Sequence, residues 1–212
     1  MNRPGGGLRA QEAPRRRVFA PPRMVQCVSH IDIVDEDHAE GELFQMYDEL
    51  QRTRGRVSNV MRVQSLHPKG MRRHLDMYME LLYGKGPLER LERELIGVVA
   101  SAANGCEYCV VHHADALQKY AKDKVWVARV RNDYLDAEMT PKQRALADFA
   151  FGLTKEPQNG SKERVAALRA AGYDDPAILH ATEVVAYFNF VNRLVHGLGV
   201  DLEEDPHQDF LY

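Results

Sequence analysis

Residues 88–113 read LERLERELIGVVASAANGCEYCVVHH, and this stretch decides the fold. Its first half repeats leucine and valine three and four residues apart, which is the spacing of an amphipathic helix and not of a strand. Asn104 and Gly105 interrupt that pattern, and a second helix is predicted to begin at Cys106. The stretch therefore predicts two consecutive helices joined by a very short turn.

The same helical spacing recurs on both sides of these two helices. Helical segments are predicted at about residues 38–53, 59–66 and 69–83 before them, and at about residues 124–131, 141–157, 161–171 and 176–197 after them. Thr140 followed by Pro141 is typical of a helix start, with Thr140 as the N-cap. No segment alternates as a strand does, so we expect an all-α, single-domain bundle of about eight helices over residues 29–212.

The composition and charge of the chain argue against a membrane-spanning protein and against a nucleic-acid-binding one. Hydrophobic residues make up 44% of the 212 residues, and no apolar run approaches the roughly 20 residues that span a bilayer. Neither a membrane nor nucleic acid is expected as a partner, because the net charge is −3 and the chain beyond residue 24 carries −8. The first 24 residues hold six arginines against Glu12, with several prolines and glycines, so residues 1–28 are predicted to be a disordered basic tail.

The three cysteines are too few for a secreted disulfide scaffold, which favours a reducing, cytoplasmic location. Cys27 stands alone beside the tail. Cys106 and Cys109 are separated by two residues, and His112 and His113 follow them. At about 100° per helical residue, His113 falls between the two cysteines on one face, whereas His112 lies further round.

This cluster has the features of a redox site. A cysteine at a helix N-terminus faces unsatisfied N–H groups, and a neighbouring histidine can take its proton, so both effects favour the thiolate. A pair of such thiols can reduce a peroxide through a sulfenic acid and an intramolecular disulfide. A zinc site is the metal-binding alternative, but Cys106, Cys109 and one histidine lack a fourth ligand.

The preceding helix offers an acid to this cluster. A tight hairpin at Asn104 and Gly105 would bring position 94 to within one turn of His113. Glu94 lies at one margin of the apolar stripe of its helix and Glu92 at the other. Helix geometry alone does not choose between these two acids.

The spacing of Glu94, Cys106, Cys109 and His113 resembles the Glu-x11-Cys-x-x-Cys-x3-His motif of the alkylhydroperoxidase AhpD-like group, in the carboxymuconolactone decarboxylase superfamily. The uncharacterised peroxidase-related branch of that group is similar over about residues 30–205, through residues 104–109, the two histidines, and residues 192–203. The founding alkylhydroperoxidase has a histidine where this chain has Tyr108.

The resemblance implies a thiol-dependent peroxidase without metal or flavin. Cys109 would attack the hydroperoxide, Cys106 would resolve the sulfenic acid, and Glu94 with His113 would form the proton relay. It also implies a homo-oligomer that is re-reduced by a thiol or dihydrolipoyl electron donor. The alternative is a redox-sensing or disulfide-exchange oligomer without rapid peroxide turnover, which Tyr108 favours.

Overall fold

A computed structural model describes residues 29–207, and every regular element in that range is helical. The nine α-helices are α1 (Gly41–Arg54), α2 (Asn59–Arg62), α3 (Pro68–Tyr83), α4 (Arg90–Ala103), α5 (Glu107–Ala121), α6 (Lys124–Asn132), α7 (Pro141–Lys155), α8 (Ser161–Ala170) and α9 (Asp175–Leu198). Two single-turn 3-10 helices cover Glu36–His38 and Tyr134–Asp136. The all-α, single-domain prediction is confirmed, with nine α-helices where about eight were expected. The predicted tail, residues 1–28, lies outside the described residues.

The helix starts show how local sequence sets the elements. Thr140 is the N-cap of α7, and its hydroxyl accepts a hydrogen bond from the Gln143 N–H in a capping box, as the Thr-Pro pair predicted. Helix α4 begins at Arg90, where Glu89 and Glu92 form a second capping box. Among the described helices, none is long and apolar enough to cross a membrane.

The second predicted helix is shorter than expected. It ends at Arg62, whereas the sequence pattern continued to Leu66. The residues that follow hydrogen-bond three positions back, from Gln64 N–H to the Met61 carbonyl and from Ser65 N–H to the Arg62 carbonyl. This tighter turning takes the chain out of the α-helix before Pro68 begins α3.

Helix α4 occupies the centre of the bundle and contacts α5, α7 and α9. Because it is surrounded, ten of its 14 residues are buried, including polar residues outside the predicted apolar stripe. Glu92, Arg93, Glu94 and Ser101 are all buried on this helix. Each has a hydrogen-bond or ion-pair partner, as buried polar groups require.

The apolar interior forms two clusters. The larger one, which we call the main core, contains residues of α4 to α9 together with both cysteines. The smaller one, which we call the N-terminal core, is formed by α1 to α3 and the loops between them. Its members are Leu43, Met46, Tyr47, Leu50, Val57, Met61, Met71 and Leu75. Tyr78 of α3 packs against both clusters and marks their seam.

Gly97 permits the close packing of α4 against α9. A Cβ at this position would lie 2.4 Å from the Phe188 ring, well inside van der Waals contact. We expect Gly97→Ala to lower the free energy of unfolding by about 2 kcal/mol, because α9 would have to move outward. Urea denaturation measures this change.

Gly197 gives the matched control, since it lies in the same helix as Phe188 and a Cβ there would meet no atom within 4 Å. We expect Gly197→Ala to be neutral or to stabilise the protein by up to about 1 kcal/mol, through lower entropy of the unfolded chain. Equal effects of the two substitutions would contradict the assigned packing.

Candidate active site

The turn between α4 and α5 places Cys106 at the start of a helix. Gly105 has φ of +68°, and its N–H bonds to the Ala102 carbonyl while the Cys106 N–H bonds to the Ser101 carbonyl. These two bonds form a Schellman motif, which ends α4. Cys106 is at the same time the N-cap of α5, so the chain reverses over a single hairpin as the sequence predicted.

Both thiols of this turn are free and buried, with exposed fractions of 0% for Cys106 and 3% for Cys109. The pKa of Cys106 is lowered, chiefly because the Cys109 thiol donates to its sulfur, with further stabilisation from the Cys109 backbone N–H and the Asn192 amide. The pKa of Cys109 is raised by the same pairing and by burial. The first proton of the pair is therefore lost more easily than that of an isolated thiol, and the second is lost with more difficulty.

Glu94 and His113 are brought together across the α4–α5 hairpin. The His113 Nδ1 donates to Glu94 Oε2 over 2.7 Å, and the carboxylate is completely buried. Arg90 donates to Glu94 Oε1 from Nε at 2.9 Å and from Nη2 at 2.6 Å. Burial alone would raise the pKa of Glu94, but the interactions with His113 and then with Arg90 hold the pKa below its ordinary value.

The hydrogen bond to Glu94 also determines which ring nitrogen of His113 carries the proton in the neutral form. With Nδ1–H donated to a carboxylate, the neutral imidazole carries its lone pair on Nε2. The ring is packed edge-on against Phe188, with centroids 4.6 Å apart. The His113 ring is thus held in place by the Glu94 carboxylate and by Phe188, on the helix that follows the cysteine turn.

The second acid of α4 is engaged elsewhere. Glu92 accepts a hydrogen bond from the Tyr173 hydroxyl at 2.8 Å and lies 3.3 Å from Lys142 Nζ. The choice that helix geometry left open is thereby settled, since Glu94 is the acid that contacts His113.

A cavity of about 80 Å³ lies at the seam of the two apolar clusters. Cys109, His112 and His113 line one wall, and Leu50 and Tyr78 belong to the others. Cys106 is not among the lining residues. This volume accommodates several water molecules or a small organic molecule, so Cys109 is the thiol that a small reactant in the cavity would meet.

His112 belongs to a hydrogen-bonded group that the sequence did not predict. Its Nε2 donates to Glu203 Oε2 at 2.8 Å, and the Tyr108 hydroxyl donates to Glu203 Oε1 at 2.7 Å. The Asn59 backbone N–H also donates to Glu203 Oε1, at 2.8 Å. Burial would raise the pKa of Glu203, but these donors, with His112 first, lower it to about 2.

Tyr108 takes part in this group as a neutral phenol. Burial and the nearby Glu203 carboxylate raise its pKa well above the ordinary value, so the hydroxyl keeps its proton and donates it. The side chain that replaces the relay histidine of the founding alkylhydroperoxidase is therefore directed to Glu203.

Asn192 is a further residue to which the sequence assigned no role. It is completely buried on α9, where its Oδ1 accepts from Asn104 Nδ2 at 2.9 Å and its Nδ2 donates to Ser101 Oγ at 3.2 Å. Hydrogen bonding from its amide contributes to the lowered pKa of Cys106, and it opposes the rise in the pKa of Cys109 that the Cys106 pairing and burial cause. Asn192 thus links α9 to the hairpin turn and supplies a donor to the cysteine pair.

Metal ligation has no support in the part of the chain that the structure describes. Over residues 29–207, no group of three or more histidine, cysteine, aspartate or glutamate side chains could hold a metal ion. Cys27, outside that range, is not placed relative to the site.

Solved structures define the class of protein to which this fold belongs. An uncharacterized peroxidase-related protein from Ralstonia eutropha JMP134, described as having an alkylhydroperoxidase AhpD core, is 29% identical with a TM-score of 0.78, covering 86% of this chain and 96% of that one. A peroxidase-related protein from Silicibacter sp. TM1040 is 25% identical with a TM-score of 0.80, covering 89% and 99%. The chain is AhpD-like, as the resemblance in its sequence indicated.

Its family is narrower than that class. A family model described as PA26 p53-induced protein (sestrin) matches residues 24–211, so the chain belongs to the sestrin family. Sestrin-3 of Mus musculus is 27% identical over 157 residues, which are 73% of this chain. The matched region is 31% of the length of that sestrin, so the chain corresponds to less than one third of it.

Proposed function

We propose that this chain is a thiol-dependent peroxidase that reduces hydroperoxides through Cys106 and Cys109. The observation that supports this most directly is the position of Cys109, whose side chain lines a cavity beside His113 while Cys106 lies behind it at the helix start. The AhpD-like neighbours, which are named as peroxidase-related, are consistent with redox chemistry at this turn.

The proposed reaction balances in three steps. His113 takes the proton of the Cys109 thiol, and the thiolate attacks the terminal oxygen of the hydroperoxide, so an S–O bond forms and the O–O bond breaks. The alkoxide takes up a proton and leaves as an alcohol. The Cys106 thiol then attacks the Cys109 sulfenic acid, which forms the disulfide and releases water. Two electrons from a thiol or dihydrolipoyl donor restore the dithiol.

Stopped-flow oxidation of the reduced protein by cumene hydroperoxide tests this function. We expect two thiols per chain to be lost, at a rate well above that of free cysteine. Oxidation at the rate of free cysteine would instead support the second candidate, a redox sensor or disulfide-exchange protein. That alternative is favoured by the bond from Tyr108 to Glu203 and by the low exposure of both thiols.

The base in this scheme is tested through the reactivity of the thiols. In His113→Gln, we expect alkylation by iodoacetamide at neutral pH to slow about tenfold, because the thiolate loses the neighbouring proton acceptor. The rate is measured against pH, and the profile should move to higher pH. His38, an exposed histidine near the start of α1, provides the control variant His38→Gln. An unchanged profile in His113→Gln would remove this residue from the mechanism.

A further inference from the structure

The two glutamates of the site have matching surroundings. Glu94 binds His113 at 2.7 Å and Arg90 at 2.6 Å. Glu203 binds His112 at 2.8 Å and has Arg56 Nη2 at 3.6 Å. Glu94 is completely buried and Glu203 is partly buried, each carboxylate has a histidine and an arginine near it, and each has a lowered pKa. Glu203 also accepts hydrogen bonds from the Tyr108 hydroxyl and the Asn59 N–H. The structure therefore contains two histidine–glutamate pairs, and only the first has a role in the reaction above.

Both histidines belong to the wall of the same cavity. His112 and His113 line it together with Cys109, and Tyr108, which packs against the His112 ring with centroids 4.7 Å apart, lines it as well. Glu203 reaches this wall from the segment after α9, which is tied down by the bond from Asn59 Nδ2 to the Asp201 carbonyl at 3.0 Å. The second pair is thus built into the site by a segment distant in sequence.

The reaction requires a proton donor as well as a base. An alkoxide is a strongly basic leaving group, so breaking the O–O bond is much easier when a proton is delivered as the bond breaks. His113 is engaged in taking the proton of the Cys109 thiol. A second group with an acidic N–H beside the same cavity can deliver the proton, and His112 lines the cavity together with Cys109.

We infer that His112, held by Glu203, is the acid that protonates the departing alkoxide, an assignment that rests on the proposed peroxidase function. As the Cys109 sulfur bonds to the terminal oxygen, the O–O bond breaks and the alkoxide takes a proton from the His112 imidazolium. The proton that His113 accepted from the Cys109 thiol then returns through solvent to His112. The step therefore neither gains nor loses a proton. Glu203 is a positioning residue that holds the His112 ring in place through the bond from Nε2 to Oε2.

Two oxidants with different leaving groups test this role. Peracetic acid releases acetate, a weak base that needs no proton, whereas tert-butyl hydroperoxide releases a strongly basic alkoxide. In His112→Gln we expect thiol oxidation by tert-butyl hydroperoxide to slow about 100-fold, and oxidation by peracetic acid by less than about threefold. Single-turnover stopped flow measures both rates, and circular dichroism checks that each variant is folded.

Glu203→Gln changes the other member of the His112–Glu203 pair. It removes the carboxylate charge and keeps a side-chain oxygen that accepts hydrogen bonds. It should show a smaller loss with the same selectivity for tert-butyl hydroperoxide, even if His112→Gln fails to fold. Glu204→Gln is the matched control, because Glu204 is the next residue and is exposed. It should leave both rates unchanged.

The outcomes separate the two proposals. Equal slowing with both oxidants would assign the pair a structural role, and no slowing would exclude it from the chemistry; either result overturns this inference and leaves the peroxidase function intact. Oxidation of the native protein by both oxidants at the rate of free cysteine would overturn the inference and the proposed function together.

Discussion

Cys109→Ser is expected to slow the oxidation of the protein by cumene hydroperoxide about a thousandfold or more, because the nucleophile itself is lost. The reason lies in the cavity, where Cys109 is a lining residue and Cys106 is not. The chemical product distinguishes the two thiols further. Cys109→Ser should form no sulfenic acid, whereas Cys106→Ser should accumulate it on Cys109, since the resolving thiol is missing. Dimedone labelling with mass spectrometry measures both results.

The lowered pKa of Cys106 favours the opposite assignment, in which Cys106 is the attacking thiol, so the labelling experiment separates the two assignments. The pairing of the two thiols favours loss of the first proton from Cys106, so attack through Cys109 requires that His113 take the proton of the sulfur that lines the cavity. Sulfenic acid on Cys106 in the Cys109→Ser variant would reverse the two roles. Equal labelling of both variants would contradict a division of roles altogether.

Glu94→Gln is expected to lower the free energy of unfolding by about 3 kcal/mol, because removing one partner of a buried ion pair leaves the other charge uncompensated. Arg90 is that partner, and its guanidinium lies 3.4 Å above the centre of the Tyr83 ring. The variant should also slow oxidation about 100-fold, since His113 loses the carboxylate that keeps it positioned as a base. Urea denaturation and stopped flow measure the two effects.

The sign of the pH dependence follows from the lowered pKa of Glu94. Its contribution to stability is present above the carboxyl pKa of the unfolded chain and is lost as the pH falls through the lower pKa of the folded state. The difference between native protein and Glu94→Gln should therefore shrink in acid. Asp48→Asn breaks an exposed pair with Arg52 and serves as the control, with an expected change below about 0.5 kcal/mol. Similar losses in both variants would contradict the buried-pair assignment.

The sequence predicted the local part of the site because helix geometry fixes it. Glu94 and His113 are 19 residues apart on two consecutive helices, and a one-turn hairpin leaves little freedom in their relative position. The apolar spacing of α4 and the break at Gly105 were therefore enough to bring an acid of α4 near His113, whereas the choice of Glu94 over Glu92 came from the motif that the chain resembles. The predicted stripe did not reveal that α4 is buried on nearly all sides, since its polar residues interrupt the hydrophobic pattern and are stabilised by partners on other helices.

Glu203 could not be predicted in the same way. It lies 91 residues from His112, and no regular spacing connects the two. Glu204 and Asp205 follow it directly, and nothing in the sequence singles out one of these three acids. Which of them contacts the site depends on how the segment after α9 packs. The hydrogen bond from the Asn59 N–H to Glu203 selects Glu203 as the acid that faces the site, and such a contact forms only when the chain is folded.

Of the two apolar clusters, the N-terminal core is expected to open more easily than the main core. It holds eight buried apolar side chains, whereas the main core holds thirty-two. Free energies of local opening rise with the number of buried apolar contacts, so we expect α1 and α2 to separate from the rest more readily than α4 to α9 do. Helix α3 contributes Leu82 to the main core and stays with it. Since the cavity lies at the seam between the two clusters, we expect each such fluctuation to widen its entrance. The 80 Å³ of the closed form therefore sets no upper limit on the size of the molecules that reach Cys109.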